Sequence, residues 1–148
     1  MRPTSAPAPH RLAQAIPTRR PRLLLAEDDP ALREVLRETL AAEGYDVVTA
    51  SSGAALYAAL TDAIVDPDRP PYDLVISDVR MPVQSGLDVL ERNYARDPET
   101  PFLLITAFGD PATHARASEF GVEVLDKPFE LDELLVRVRL LLDRWRAR

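Results

Sequence analysis

The sequence predicts an α/β protein built on a five-stranded parallel sheet, doubly wound, with helices on both faces. Three observations carry this prediction. Five short apolar runs recur between residues 22 and 125, each followed by a segment with helical spacing. The runs are continuous rather than alternating, as strands covered on both faces require. Four of them lead into charged or hydroxyl residues, at the strand ends where such sheets place their ligands.

The elements follow in order. Leu23-Leu24-Leu25-Ala26 is the first strand and runs into Glu27-Asp28-Asp29. Asp29-Pro30 opens a helix, Asp as N-cap and Pro at the first helical position. Leu32, Val35, Leu36 and Leu40 form its apolar stripe, and Gly44 stands where a helix ends. Asp46 to Ala50 is the second strand, and Ser52 starts a helix lasting to Val65. After a Pro-rich loop at 66–71, Leu74-Val75-Ile76 is the third strand, reaching Asp78. A helix from Ser85 to Ala95 carries Leu87 and Leu90, with Gly86 serving the backbone geometry of the turn. Phe102 to Ile105 is the fourth strand, ending at Thr106, and Asp110-Pro111 repeats the earlier cap. Val122 to Leu125 is the fifth strand, before Lys127. The last helix aligns Leu131, Leu134, Leu135, Val138, Leu141, Leu142 and Trp145 for the core.

Composition narrows the chemistry. The chain of 148 residues is 46% hydrophobic and 28% charged, the balance of a soluble globular domain. No run approaches the roughly 18 apolar residues of a membrane span, so no membrane partner is expected and a cytoplasmic location is. Cys is absent, which excludes disulfides, zinc–cysteine sites and a cysteine nucleophile. His10 and His114 cannot build a multi-histidine metal site. The net charge of −6 is divided: residues 1–22 hold five arginines and no acid, leaving 13 basic against 24 acidic residues elsewhere. An acidic body is repelled by phosphate backbones, so no direct nucleic-acid partner is expected. Seventeen of the 18 basic residues are arginine, and the single lysine is Lys127.

Residues 1–21, rich in Pro, Ala and Arg, read as a disordered tail or linker, and residues 22–146 as the folded domain. The tail also has the arginine-rich, acid-free composition of a transit peptide; a plain linker or extension is the preferred reading.

At the carboxyl ends of the strands, Glu27, Asp28, Asp29, Asp78, Thr106 and Lys127 converge. Clustered carboxylates need a cation, and hard oxygen donors favour Mg²⁺, with Mn²⁺ the alternative. Beside such an ion, the Asp78 carboxylate can attack phosphorus as a nucleophile. Lys127 suits pairing with carboxylate and phosphoryl oxygens, and the Thr106 hydroxyl can donate to a phosphoryl group.

These pieces resemble the receiver domain of two-component response regulators over residues 22–145. The carriers are Glu27-Asp28-Asp29, Ser77-Asp78-Val79-Arg80-Met81-Pro82, Gly86, Thr106-Ala107-Phe108-Gly109-Asp110 and Lys127-Pro128-Phe129. Each is weak alone; together and in order they are specific. The resemblance implies a (βα)5 flavodoxin-like fold with strand order 2-1-3-4-5. It implies that Asp78 accepts a phosphoryl group from a histidine kinase or histidine phosphotransfer protein. Asp28, Asp29, Asp78 and the Arg80 backbone carbonyl would hold Mg²⁺, with Glu27 in a supporting position. Thr106 would move onto the phosphoryl group, Lys127 would pair with it, and the Lys127–Pro128 bond would be cis. The domain would be a phosphoacceptor switch rather than a turnover enzyme, although it catalyses its own phosphorylation and dephosphorylation. It would signal to a downstream protein through the fourth helix, fifth strand and fifth helix, and a homodimer is open. With no output domain recognised in the sequence, that signal is expected to pass to a partner.

One position departs from the family. The residue three before the lysine is often Tyr or Phe and here is Val124, which puts the usual aromatic switch in doubt. Arg80, two residues after Asp78, could shield the phosphoryl group from water. Asp29 is read as both cap and metal ligand, His114 as a solvated side chain and Phe108 as loop packing. Val136 and Leu140 lie off the last helix's stripe and mark either a partner face or wider burial. Two other functions compete: a receiver-like interaction module working without phosphorylation, and an α/β phosphatase with an aspartate nucleophile. Retention of Asp78 and Lys127 argues against the first. Arg80, standing where such phosphatases carry a second acid, argues against the second.

Overall fold

The structure is a computed structural model and describes residues 19–107 and 110–146, the last two by backbone alone. Five strands, β1 (Arg22–Ala26), β2 (Asp46–Ala50), β3 (Leu74–Asp78), β4 (Phe102–Thr106) and β5 (Glu123–Asp126), form one parallel sheet in the order β2-β1-β3-β4-β5. The helices α1 (Pro30–Ala42), α2 (Gly53–Val65), α3 (Gly86–Arg96), α4 (Pro111–Glu119) and α5 (Leu131–Arg146) are the crossovers. Fold class and strand order are those expected. The fifth strand is shifted by one residue from its predicted span, running to Asp126 because Thr106 and Asp126 pair across β4 and β5.

The period-two alternation of the strands builds two cores. Leu23, Leu25, Leu74, Ile76, Leu103 and Ile105 face α1 and α5, meeting Leu36, Leu40, Leu134 and Val138. Leu24, Ala26, Val75, Phe102 and Leu104 face the other layer, meeting Leu56, Leu60, Val89, Leu90 and Ala117 of α2, α3 and α4. Two residues of the predicted stripes fall outside these cores. Val35 is 47% exposed and Leu131 is 39% exposed, because each lies on the flank of its helix turned away from the sheet. Val136 and Leu140 are exposed as well, which excludes wider burial. The Trp145 side chain, Phe108, His10 and residues 1–18 of the predicted tail lie outside the described residues.

The helix starts hold because their first N–H groups find acceptors. Asp29 Oδ1 accepts from the amides of Ala31 and Leu32, and Asp110 Oδ1 from Ala112. Ser52 caps α2. On α3, Ser85 and Asp88 exchange two hydrogen bonds, a complete capping box. Gly44 follows the α1 cap with φ +95°, a conformation glycine adopts without a Cβ penalty.

At the amino edge of the sheet the last residues of the predicted tail are tied to the body. The Arg19 guanidinium grips both Asp73 carboxylate oxygens at 2.9 and 3.3 Å, and Pro21 carbonyl accepts from Asp46. The opposite, carboxyl edge carries the convergent polar residues.

Candidate functional site

Four strand ends meet at this edge. β3 delivers Asp78, 6% exposed, as its last residue. Its Oδ1 accepts from the Arg80 amide at 3.1 Å, and its Oδ2 from Lys127 Nζ at 3.1 Å. β1 leads into Glu27, 2% exposed, and Asp28, which is exposed. Lys127 follows β5; its amide donates to the Thr106 carbonyl at 2.7 Å, and its ammonium lies 3.5 Å from Glu27 Oε1. The Lys127–Pro128 peptide is cis, as expected. Thr106 ends β4 with its side chain buried.

Glu27, Asp28 and Asp78 each offer a carboxylate oxygen, and these atoms lie within 4.8 Å of one another. Of the expected ligands, the geometry brings Asp28 and Asp78 together, with Glu27 beside them. Asp29 is not in the group: its Oδ1 already serves two N–H donors at the start of α1. Glu27, given only a supporting position on the sequence, points into the cluster with Oε1 toward Lys127 while Oε2 accepts from the Asp29 amide at 3.1 Å.

The electrostatics follow from burial. Desolvation pushes the Glu27 carboxyl up to about 7; the Asp29 amide draws it down, the Asp78 charge raises it further, and Lys127 draws it down. For Lys127, burial favours the neutral amine, yet the hydrogen bonds and charges of Asp78 and Glu27 together outweigh it and hold the ammonium above the ordinary lysine range. Two of the three carboxylates, Asp78 and Glu27, thus share the Lys127 ammonium, and Asp28 adds a third negative group beside them. That deficit of positive charge, with oxygen donors only, fits a small hard divalent cation.

The surrounding residues shape the site. A Cβ at Gly86 would come within 2.3 Å of the Asp78 carbonyl oxygen and 2.6 Å of Ser77 Oγ, so the requirement for glycine is close approach to the Asp78 backbone. Ser77 Oγ in turn donates to the Asp78 carbonyl at 2.9 Å. In the loop after Asp78, Val83 has φ +69° and Gln84 N donates to Pro82 O, a tight strained turn that leaves Val83 fully exposed. Val124 lies opposite Leu104 and packs, half-buried, on the α2–α3–α4 side of the sheet. His114 is not simply solvated: its Nε2 lies 2.9 Å from Asp126 Oδ1, linking α4 to the end of β5. Arg33 is not singled out on the sequence; its Nη1 donates to the Glu27 carbonyl at 2.8 Å, a contact back across the β1–α1 turn that no spacing motif marks.

Comparison with known proteins places this geometry. The sequence profile of the response regulator receiver domain matches residues 23–139. The transcriptional regulatory protein DltR of Streptococcus agalactiae is 37% identical over 121 residues, covering 80% of this chain and 50% of that protein. Transcriptional regulatory protein CpxR of Klebsiella pneumoniae is 34% identical over 124 residues, 83% of this chain and 50% of that protein. The chain therefore spans about half the length of these relatives. Among solved structures, the non-phosphorylated HemR receiver domain of Leptospira biflexa superposes with TM-score 0.71 at 33% identity, covering 83% of this chain and 94% of that one. A receiver domain from Clostridium thermocellum gives TM-score 0.77 at 25% identity, covering 86% and 98%. By its sequence match, its strand order, its acidic cluster and its Asp78–Lys127 pair, the chain belongs to the response regulator receiver domain family of two-component signalling.

Proposed function

We propose that this receiver is a phosphoacceptor switch, taking a phosphoryl group on Asp78 from a histidine kinase or histidine phosphotransfer protein. The observation that carries the reading is the placement of Asp78: nearly buried, aligned by the Arg80 amide and Lys127, and grouped with two further carboxylates. In the transfer, one Asp78 oxygen forms a bond to phosphorus as the donor's N–P bond breaks. The bonding pair returns to the donor imidazole nitrogen, and an acyl phosphate results.

Glu27, Asp28 and Asp78, with the Arg80 backbone carbonyl, would hold Mg²⁺; Asp29 is assigned to capping α1. The ion would supply neutralisation of phosphoryl charge. Lys127 is the residue that pairs with the phosphoryl oxygens, exchanging part of its contact with Asp78 for them. Thr106 donates its hydroxyl to the same group and carries the change to its neighbours. The downstream protein is assigned to the face formed by α4, β5 and α5. With Val124 at the usual aromatic position, the ring rotation often used by the family has no side chain to perform it.

The test is intact-protein mass after incubation with acetyl phosphate and Mg²⁺, beside Asp78→Asn and a Mg²⁺-free control. The expected result is a gain of one phosphoryl group in the wild type only. No gain in the wild type from acetyl phosphate or from a protein donor, or a gain that survives Asp78→Asn, overturns the assignment.

A further inference from the structure

We infer that Arg33 is a positioning residue of the acidic site, holding the β1–α1 turn so that Glu27 and Asp28 present their carboxylates together with Asp78. The inference rests on the Mg²⁺-dependent reading above and adds to it a residue outside the motifs.

Arg33 lies in the first turns of α1, half-buried, and reaches back over that turn. Its Nη1 donates to the Glu27 carbonyl oxygen at 2.8 Å. The other polar groups of Glu27 are held as well. Its amide donates to the Ala50 carbonyl at 3.1 Å, its Oε2 accepts from the Asp29 amide, and its Oε1 faces Lys127. Of these four attachments, the one from Arg33 fixes the plane of the peptide that joins Glu27 to Asp28. Rotation of that peptide would carry Asp28, the exposed member of the cluster, away from Asp78. The Ala50 bond holds the preceding peptide, and the Oε2 bond to the Asp29 amide spans the same peptide from the side chain, so Arg33 is the group that holds its carbonyl directly. Asp29 adds stiffness on the far side through its cap to Ala31 and Leu32. Arg33 therefore closes the turn from the helix side, and the acidic pair is presented by a short rigid arch instead of a free loop.

The sign of the effect separates positioning from simple charge. Arg33 is a cation near a site that binds a cation. If it acted through its charge alone, its removal would relieve repulsion and tighten Mg²⁺ binding. If it positions the turn, its removal loosens the ligands and weakens binding, in metal sites by about tenfold or more for residues that orient ligands.

The experiment is isothermal titration of the full chain with MgCl₂ for wild type, Arg33→Gln and Arg33→Lys, with thermal melts of the ion-free proteins and acetyl phosphate labelling alongside. Weakening of Mg²⁺ binding in Arg33→Gln by about tenfold, with the ion-free fold retained, and an intermediate value in Arg33→Lys, is expected. Unchanged or tighter binding in Arg33→Gln overturns the inference. If Arg33→Gln does not fold, Arg33→Lys decides: weakened binding supports positioning, and wild-type affinity overturns it. A wild type that binds no Mg²⁺ overturns this inference together with the ion-dependent reading, whereas wild-type binding and labelling with an unaffected Arg33→Gln overturns this inference alone.

Discussion

The two edges of the sheet use the same kinds of side chain and arrange them to opposite ends. At the amino edge, Asp73 receives the Arg19 guanidinium on both oxygens and the Arg22 amide at 2.6 Å, while Arg22 also donates to the Pro70 carbonyl and lies over the Tyr72 ring. The one carboxylate is met in full by a guanidinium and an amide, near solvent. At the carboxyl edge, three carboxylates cluster, and the two that are nearly buried, Glu27 and Asp78, share Lys127. The first arrangement fastens the chain. The second leaves negative charge in a desolvated place, a condition that favours a metal ion and a phosphoryl group and that costs stability when neither is bound. The comparison teaches that the informative quantity is the local imbalance of charge under burial, not the number of ion pairs.

The largest expected effect is at the unbalanced edge. Lys127→Ala removes the one ammonium that contacts both Asp78 and Glu27. Labelling by acetyl phosphate is expected to fall by about a hundredfold or more, the size typical of losing a group that stabilises transition-state charge. The initial rate of mass gain under saturating Mg²⁺ measures it. A rate within a few-fold of wild type would mean that Lys127 serves structure and not transfer.

Next in size is a pH dependence. The Glu27 carboxyl rises from an ordinary 4.5 to about 7 on folding. A raised folded value means that the protonated form is favoured by folding. Its contribution is complete below 4.5 and is lost as pH rises through 7, in total about 3 kcal/mol by the usual conversion of pKa to free energy. In ion-free buffer, urea denaturation should therefore show lower stability at pH 8 than at pH 5.5, and Glu27→Gln should flatten that slope. Because Mg²⁺ and the proton compete for the same oxygens, stabilisation by Mg²⁺ should be greater at pH 8 than at pH 6. An ion-free protein whose stability rises from pH 5.5 to 8 would contradict the placement of Glu27.

What the sequence made legible, and what it did not, divides along similar lines. Elements written in local chemistry were readable: Asp29-Pro30 and Asp110-Pro111 start helices because cap and ring act within one turn, and the apolar runs identify strands because both sheet faces are covered. The resemblance supplied the strand order, which places Asp78, Thr106 and Lys127 at neighbouring strand ends. The assignment within Glu27-Asp28-Asp29 was harder. Three consecutive acids look alike, and only the turn decides which carboxylates reach the site; Asp29, taken as both cap and ligand, has one oxygen committed to two amides. Val35 and Leu131 were misplaced because a helical stripe gives the direction of the core but not its width. The His114–Asp126 link and the Arg33 contact were invisible, since each joins residues whose proximity only tertiary structure creates.

The smallest expected effect belongs to the balanced edge. Arg19→Ala breaks a two-pronged pair with Asp73, but Arg19 is well exposed and the Arg22 amide continues to satisfy Asp73. A loss of about 0.5 kcal/mol is expected, as for other solvent-facing ion pairs, and it should shrink further in high salt. Labelling of Asp78 should be unchanged, because the pair lies at the opposite end of the strands. Urea denaturation at low and high salt, with acetyl phosphate labelling of the same variant, checks both statements. A loss of 2 kcal/mol or more would instead make the Arg19–Asp73 pair a structural anchor of the sheet, comparable to the charges of the carboxyl edge. A change in labelling would show that the two edges communicate through the strands, and the contrast between a fastening edge and a chemical edge would have to be abandoned.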